Sequence, residues 1–456
     1  MSVRPSPLLA NADDRDAPLN QLDASGISDS VRSGQTSCNR VAEHFLRRIE
    51  AHEPCVQAFA AFDPQGVRAQ ANGLALEGHQ GLLAGVPVGI KDIFDSADLP
   101  TQFYSPLYAG HQPSRDAHVV TLLHQAGALI MGKTHTTEFA YMHTGPTRNP
   151  HNLAHTPGSS SAGSAAGMAA GFFALALGTQ TAGSLLKPAA YCGLHAFKPS
   201  LGLVSLEGVK PLAQSFDTVG WYGRSVRDLE RVARVLIPGF TVVTGEHRPL
   251  RLGLCRPPHG EQVEPSVADT LLAAIAQLRA AGHQVEEVQL PVSFAGVFDD
   301  HALINDCEGA RSLAKEFHAR REQLSDALLA MFERAQATTW EKESAAKARL
   351  SRLAPQLARH CQSFDAMLDV SCAMVAPAGL ASTGPSDFIK FWGAFGWPQL
   401  NLPLKRAEGL LPIGLQLIAG FRNDRQLLWV ARQVAATLNN TPAAPNLETR
   451  RTELQG

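Results

Sequence analysis

The sequence predicts an α/β fold in which helices and strands alternate along the chain and pack in layers. The segment "VVTLLHQAGALIMGKT" is typical of a helix that ends at Gly127 and is followed by a buried strand. Near residue 250, "LRLGLC", "SVADTLLAAIAQLRAAGH" and "QVEEVQLP" give the order strand, helix, strand. Elements that alternate in this way are expected to form a sheet covered by helices.

The first half of the chain contains further elements. Residues 1–18 are polar and turn-rich, which predicts a flexible N-terminal tail. "TSCNRVAEHFLRRIEAHEP" places Val41, Phe45 and Ile49 on one face, which predicts an amphipathic helix after a Thr/Ser cap. "LLAGVPVGIKDIFD" is typical of a strand that enters a turn, and "SAAGMAAGFFALALG" predicts a buried helix of small residues.

The pattern changes along the second half. Residues 241–384 are more helical and more charged from residue 300 onward, which indicates a substrate-specificity subdomain. "FIKFWGAFGWPQLNLPLKR" and "GLLPIGLQLIAG" predict apolar strands that rejoin the sheet, with the aromatic side chains of the first in the core. We therefore expect one domain over residues 19–440, with its core at 19–240 and 385–440, and a C-terminal tail at 441–456.

Composition limits the partners. The net charge is −2, the pI is near 6.8 and there is no long basic run, which disfavours binding to nucleic acid or to an anionic membrane. No stretch has the roughly 18 apolar residues of a membrane-spanning helix. The N-terminus does not resemble a secretory signal, and the seven scattered cysteines suit a reducing compartment, so we expect a cytoplasmic protein with a small-molecule partner.

Two runs of glycine, alanine and serine stand out, "PGSSSAGSAAG" at residues 157–167 and "GTQTAGSLLKPAAYCG" at residues 178–193. The first is not a P-loop, because Ser164 occupies the position of the lysine, and Ala162 replaces the second glycine of a nucleophile elbow. The second contains Ser-x-x-Lys, but Pro188 disfavours a helix that would align Ser184 with Lys187. A serine-rich wall and a second serine in a glycine-flanked turn remain.

A metal site is disfavoured. His151 and His155 have helical spacing, but "PHNLAHTPG" is bracketed by prolines and therefore predicts a loop. No acidic residue accompanies them as in His-Glu-x-x-His. We expect neither a metal nor an organic cofactor.

The chain resembles the amidase signature family of serine hydrolases. The resemblance is carried by "PGSSSAGSAAG", by "GTQTAGSLLKPAAYCGLHAFKPS" and by "GVPVGIKD", and it extends through "GKTHTTEFA", "RNPHN" and "GLLPIGLQLI" over roughly residues 20–435. It implies an amidase-signature fold, in which a central mixed β-sheet is flanked by helices on both faces.

The resemblance also implies a Ser-cisSer-Lys triad. Carried over residue by residue, Ser184 is the nucleophile, Ser160 the relay serine preceded by a cis peptide bond, and Lys91 the base. A serine hydroxyl needs a base to become a good nucleophile, and a lysine serves only when burial lowers its pKa. Lys91 follows an apolar strand that would bring it into the interior, whereas Asp92 is expected to point to the opposite face and orient other groups.

Further candidates surround the nucleophile. The turn Thr181-Ala182-Gly183-Ser184 is expected to supply backbone N–H groups to an oxyanion. Three more residues are candidates for substrate binding, namely Gln180, Glu138 and Lys187. Gln180 stands where many family members have aspartate, and Lys187 would suit a substrate carboxylate, with packing against helix ends as the equal alternative.

We therefore expect an amidohydrolase that cleaves a small, linear carboxylic amide through an acyl-enzyme on Ser184 and releases ammonia or an amine. Two alternatives remain open. The same triad would serve an esterase, a carbamate hydrolase or a urea-type hydrolase, and the chain could be an amidotransferase A-type subunit that acts on glutamine. A homodimer is possible.

Overall fold

A computed structural model describes residues 19, 22–78, 80–245, 247–258, 262–404 and 409–438. The tails predicted at 1–18 and 441–456 lie outside the described residues. The described helices are α1 Ala24–Arg32, α2 Cys38–Val56, α3 Pro64–Glu77, α4 His118–Gln125, α5 Ala162–Ala169, α6 Leu186–Cys192, α7 Val226–Leu236, α8 Pro265–Ala280, α9 Val297–Ser312, α10 Ala314–Arg320, α11 Asp326–Gln336, α12 Trp340–Cys361, α13 Asp387–Gly393 and α14 Asp424–Thr437.

The strands form one mixed sheet, which confirms the predicted α/β fold. They are β1 Phe59–Ala61, β2 Pro87–Lys91, β3 Leu129–Thr134, β4 Leu175–Gln180, β5 His195–Lys198, β6 Thr218–Gly223, β7 Arg251–Cys255, β8 Gln284–Val288, β9 Ala366–Val370, β10 Gln399–Leu404 and β11 Ile413–Ile418. Their order in the sheet is β1-β3-β2-β4-β6-β5-β10-β11-β9-β7-β8. Strands β3, β2 and β4 run parallel, as do β9, β7 and β8, and the remaining neighbours are antiparallel.

Several helices and strands form where the sequence predicts them. Helix α2 begins after Ser37, whose hydroxyl accepts the Arg40 N–H at 3.2 Å, and it buries Val41, Phe45 and Ile49. Helix α4 and strand β3 follow one another with Gly127 between them, and β2 ends at Lys91 with all five of its residues buried. Strand β2 is buried because it lies between β3 and β4 in the sheet.

Two predictions were wrong. The predicted helix "SAAGMAAGFFALALG" ends early, because Gly171 adopts a φ of +79° and the following residues form β4. Phe173 then packs against Gly89, where an added Cβ would lie 2.6 Å from the ring. "FIKFWG" forms helix α13 instead of a strand, since its aromatic residues recur every three or four positions and bury the same face.

Residues 241–384 contribute both strands and helices. Strands β7, β8 and β9 extend one end of the sheet, whereas α9, α10, α11 and α12 form a helical layer in which α9 packs against both α11 and α12. Helix α9 reaches the central strands, because His301 Nε2 lies 3.1 Å from the Thr181 carbonyl oxygen. Within the described ranges, no helix has the length and apolar character needed to cross a membrane.

Candidate active site

Lys91 occupies the centre of the site. It is the last residue of β2 and is fully buried. Its Nζ lies 2.7 Å from Ser160 Oγ and 2.8 Å from Thr179 Oγ1. Burial holds the pKa of Lys91 well below its ordinary value, while the negative charge of Asp217 opposes that shift. An amine in this setting can lose its proton and act as a base.

The three consecutive serines have three different partners. Ser160 Oγ meets Lys91, whereas Ser159 Oγ lies 3.1 Å from Ser184 Oγ. Ser161 Oγ donates to the Thr179 carbonyl oxygen at 3.2 Å. Successive side chains point in different directions, so one serine reaches the amine and its neighbour reaches the second serine. The structure thus differs from the expectation that Ser160 contacts both groups.

The cis peptide bond implied by the resemblance is not found in the described residues. All of their peptide bonds are trans, including the bond that precedes Ser160. The hydrogen bond between Ser160 and Lys91 is present with this trans bond.

Ser184 lies in a turn between β4 and α6 and is 7% exposed. In the described part of the chain, the backbone N–H groups of Ala182, Gly183 and Ser184 meet no hydrogen-bond acceptor. Unpaired N–H groups grouped around a serine hydroxyl are what an oxyanion hole requires. Gly183 is packed closely, because a Cβ at this position would lie 2.6 Å from Ser386 Cβ.

Gln180 supports this turn from the end of β4. Its Oε1 accepts the N–H groups of Leu185 and Leu186 at 3.3 and 3.1 Å, at the start of α6. Its Nε2 donates to Gln399 Oε1 on β10 at 3.0 Å. The side chain is almost completely buried, so its observed contacts hold the helix start and the sheet together.

Glu138 and Lys187 are also held by the protein. Glu138 accepts from Ser105 Oγ at 3.3 Å and from the Ser325 N–H at 3.2 Å, and it lines a cavity of about 510 Å³. Lys187 is buried in the first turn of α6, where its Nζ donates to Thr383 Oγ1 at 3.2 Å and to the carbonyl oxygen of Gly384. The observed contacts of Lys187 therefore fix the loop that precedes α13.

Asp92 pairs with Lys133 away from the serines. Asp92 Oδ1 lies 2.9 Å from Lys133 Nζ, and both side chains are buried. This agrees with the expectation that Asp92 orients other groups. His151 and His155 lie in a loop and meet the carbonyl oxygens of Cys192 and Ala376 at 3.0 and 2.7 Å.

The sequence did not reveal three residues that surround the site. Thr179 contacts Lys91, Asp217 accepts from Thr181 Oγ1 at 2.6 Å, and His301 meets the Thr181 carbonyl oxygen at 3.1 Å. Thr179 lies in "GTQT", directly before the nucleophile turn, and this position was the only sequence signal that could have identified it as a site residue. Asp217 and His301 reach the turn through strand pairing and helix packing, which have no local signature.

Several solved structures share this fold over most of the chain. A structure described as a crystal structure of amidase is 29% identical, with a TM-score of 0.83 over 91% of this chain and 100% of that chain. A 6-aminohexanoate cyclic dimer hydrolase complexed with substrate is 25% identical, with a TM-score of 0.82 over 94% and 99%. The native peptide amidase from Stenotrophomonas maltophilia, at 24% identity and a TM-score of 0.81, covers 94% of this chain and 99% of that chain and shows the fold alone.

Curated relatives extend the comparison to sequence. The A-type subunit of the glutamyl-tRNA(Gln) amidotransferase of Roseiflexus castenholzii is 32% identical over 91% of this chain and 95% of its own length. Its counterpart in Gloeobacter violaceus is 32% identical over 68% of each chain. The profile of the Amidase family matches residues 40–428, which span the buried lysine, the serine run and the turn. The chain therefore belongs to the amidase family of C–N bond-cleaving enzymes.

Proposed function

We propose that this chain hydrolyses a carboxylic amide through an acyl-enzyme on Ser184, with Lys91 as the base. The observation that carries the proposal is the fully buried Lys91 amine, which lies 2.7 Å from Ser160 Oγ. The adjacent Ser159 Oγ lies 3.1 Å from Ser184 Oγ, in a turn of unpaired N–H groups. Such an amine exists in its neutral form far more readily than a solvated lysine does.

The reaction proceeds in two balanced steps. Ser184 Oγ attacks the carbonyl carbon while its proton passes by way of a serine hydroxyl to Lys91, and the N–H groups of the turn bind the oxyanion. The C–N bond then breaks and the proton moves from Lys91 to the leaving nitrogen, which gives ammonia or an amine. Water repeats the sequence on the acyl-enzyme and releases the acid.

Ser160 is our proposed proton carrier because its hydroxyl contacts Lys91. Ser159 is the matched control, because it contacts Ser184 instead. Ser160→Ala should lower kcat by about 10²- to 10⁴-fold, the usual contribution of a positioned proton-transfer group. Ser159→Ala should lower it less. A larger loss of kcat in Ser159→Ala than in Ser160→Ala would assign the proton transfer to Ser159.

The substrate is a separate question. Gln180, Glu138 and Lys187 were candidates for substrate binding, and each already contacts protein groups. A small, linear carboxylic amide remains the main proposal, with an ester, a carbamate or a urea-type compound as the alternative substrates of the same acyl-enzyme.

A second candidate is an amidotransferase A-type subunit that acts on glutamine. The names of the curated relatives support it, because A-type subunits of glutamyl-tRNA(Gln) amidotransferases match over most of this chain. The net charge of −2 provides little attraction for RNA, so a protein of this kind would depend on partner chains for contact with tRNA.

One experiment separates these candidates. The protein is incubated with small amides, dicarboxylic monoamides, glutamine, ureas and esters, and the release of ammonia or acid is followed, with Ser184→Ala as the control. Turnover of simple amides that disappears in the control supports an amidase. Restoration of activity when the chain replaces the A-type subunit in a reconstituted glutamyl-tRNA(Gln) amidotransferase supports the second candidate. Full activity of Ser184→Ala would refute the mechanism.

A further inference from the structure

Asp217 lies directly before β6 and beside the turn that contains Ser184. Strands β4 and β6 are antiparallel and pair Gln180 with Thr218, so the next pair in that register is Thr181 with Asp217. Thr181 Oγ1 donates to Asp217 Oδ1 at 2.6 Å, which is a short, charge-assisted hydrogen bond. The strand register thus fixes the carboxylate against the first residue of the oxyanion turn.

The carboxylate is itself rigidly held. Its Oδ2 accepts the N–H groups of Leu212 and Ala213 at 2.8 and 2.9 Å, and the side chain is almost fully buried. Within the described residues it has no ion pair, because no lysine, arginine or histidine nitrogen lies within 4.0 Å. Burying a carboxylate without a cation in contact lowers the stability of the fold, so we expect this charge to serve the function of the site.

Lys91 is the cation whose charge Asp217 influences. Thr179 and Thr181 lie two residues apart on β4 and its extension, so their side chains share one face of the sheet. Thr179 contacts the Lys91 amine and Thr181 contacts the carboxylate. The two charged groups therefore each contact one threonine of this pair, and the negative charge of Asp217 raises the pKa of Lys91 against the larger effect of burial.

A second contact holds the same turn from the helical layer. His301 on α9 meets the Thr181 carbonyl oxygen, and its ring stacks on Phe216 at a centroid distance of 4.1 Å. Burial lowers the pKa of His301 to about 4, so the ring is neutral near pH 7 and donates through Nε2. Thr181 is thus fixed at its side chain and at its carbonyl group.

We propose that Asp217 is a positioning residue for the proposed amide hydrolysis: through Thr181 it fixes the oxyanion turn, and its charge stabilises the ammonium form of Lys91 during catalysis. The inference rests on the proposed function. In the first step the O–H bond of Ser184 breaks and Lys91 gains the proton, so a cation forms within the electrostatic influence of a fixed carboxylate. In the next step that proton leaves with the amine, and Asp217 remains ionised throughout.

Two variants separate the two effects. Thr181→Val removes the hydrogen bond and keeps the carboxylate, whereas Thr181→Ser restores the hydroxyl. Asp217→Asn removes the charge and keeps an oxygen for the N–H groups of Leu212 and Ala213. Asp424→Asn is the matched control, because Asp424 is also buried and accepts from the Ser200 N–H and hydroxyl at 2.7 and 2.5 Å.

Two measurements apply to every variant, the rate at which a fluorophosphonate labels Ser184 and the dependence of kcat and KM on pH. Thr181→Val should lower kcat and the labelling rate by about 10-fold or more with little change in KM, as expected for lost oxyanion positioning. Thr181→Ser should restore both. Asp424→Asn should lower the thermal midpoint and leave the labelling rate unchanged.

Asp217→Asn should move the acid limb of the rate profile to lower pH and lower the plateau. Only the neutral Lys91 accepts a proton, so the rate rises through its pKa, and loss of the carboxylate lowers that pKa. Burial raises the pKa of Asp217 to about 6, so the group is charged near neutral pH. Other titratable groups on the packed elements include His301 and His195, which burial keeps neutral near pH 7, and Lys198 on β5, whose pKa burial lowers to about 7. Three ion pairs are also present, Glu308 with Lys347, Asp92 with Lys133 and Lys390 with Asp387.

The outcomes are distinguishable. Wild-type labelling together with an unshifted acid limb in folded Asp217→Asn overturns the inference. A wild-type rate in Thr181→Val overturns it as well. The Thr181→Val result also decides the case if Asp217→Asn does not fold. Labelling of Ser184 without turnover of any amide removes the proposed substrate class and still tests the inference. Equal labelling of Ser184→Ala removes both proposals.

Discussion

Gly183→Ala tests the oxyanion turn through a single methyl group. The φ of Gly183 is not in the left-handed region, so alanine is tolerated by the backbone itself. The added Cβ would lie 2.6 Å from Ser386 Cβ, whereas carbon atoms in contact are about 3.5–4.0 Å apart. The turn or the loop that carries Ser386 must therefore move by about 1 Å.

The expected magnitude follows from this displacement. A shift of 1 Å in a catalytic group costs about 10²-fold in rate, and loss of one oxyanion donor costs about 10²- to 10³-fold. We expect kcat to fall within that range, which corresponds to about 2.7–4 kcal/mol of transition-state stabilisation. The added methyl group should also lower the folding stability by about 1–3 kcal/mol through overpacking. About 0.4–1 kcal/mol of this is offset, because alanine has less conformational freedom than glycine in the unfolded chain.

Two further variants make the assay specific. Gly393→Ala is the control, because its Cβ would meet the Ala182 carbonyl oxygen and Gln399 at ordinary distances of 3.8 and 3.7 Å. Ser386→Gly combined with Gly183→Ala removes the collision and should restore most of the rate. Amide turnover, fluorophosphonate labelling and thermal unfolding are measured for all of them. A wild-type kcat in Gly183→Ala, or a double variant as slow as the single one, refutes the reasoning.

Three more predictions follow from buried charges. Lys91→Met should lower kcat by about 10²- to 10⁴-fold in the amide assay without lowering the thermal midpoint, because an apolar chain replaces a buried amine; a retained rate would exclude Lys91 as the base. Lys187→Met should lower the thermal midpoint and leave the ratio of kcat/KM for neutral and carboxylate-bearing amides unchanged, because Lys187 holds Thr383; a selective loss with the anionic amide would assign it to the substrate. Burial raises the pKa of Asp369 from 3.8 to about 7, so the contribution of this carboxyl group to stability is fully present below pH 3.8 and is lost as the pH rises through about 7. Asp369→Asn should therefore raise the free energy of unfolding in urea more at about pH 8 than at about pH 5. Equal changes at the two pH values would contradict this.

The sequence predicts the elements whose periodicity is local. Helix α2 has a cap and an apolar face, and β2 is an apolar run before a turn, so both form as expected. Strand β4 escaped prediction because apolar residues continue without a break from α5 through Phe172 and Phe173. The two glycines that make room for the Phe173 ring, Gly89 and Gly167, lie on separate elements. Local patterns do not record such packing.

The candidate site was predictable from the sequence only through the resemblance. Motif matching selected Lys91, Ser160 and Ser184, and the structure groups them with Ser159 and Thr179. The partners of the remaining candidates come from distant segments, as Gln399 does for Gln180 and Ser325 for Glu138. Those contacts depend on sheet order and on helix packing, which spacing along the chain does not reveal.

The hydrogen bond between Gln180 and Gln399 has a consequence for biosynthesis. Strand β10 lies between β5 and β11, so the strand that steadies the nucleophile turn is made only after residues 399–404 have been added. All residues of the proposed proton path precede residue 185 and leave the ribosome much earlier. A nascent chain should therefore carry its lysine and serines without cleaving any amide until β10 has been made.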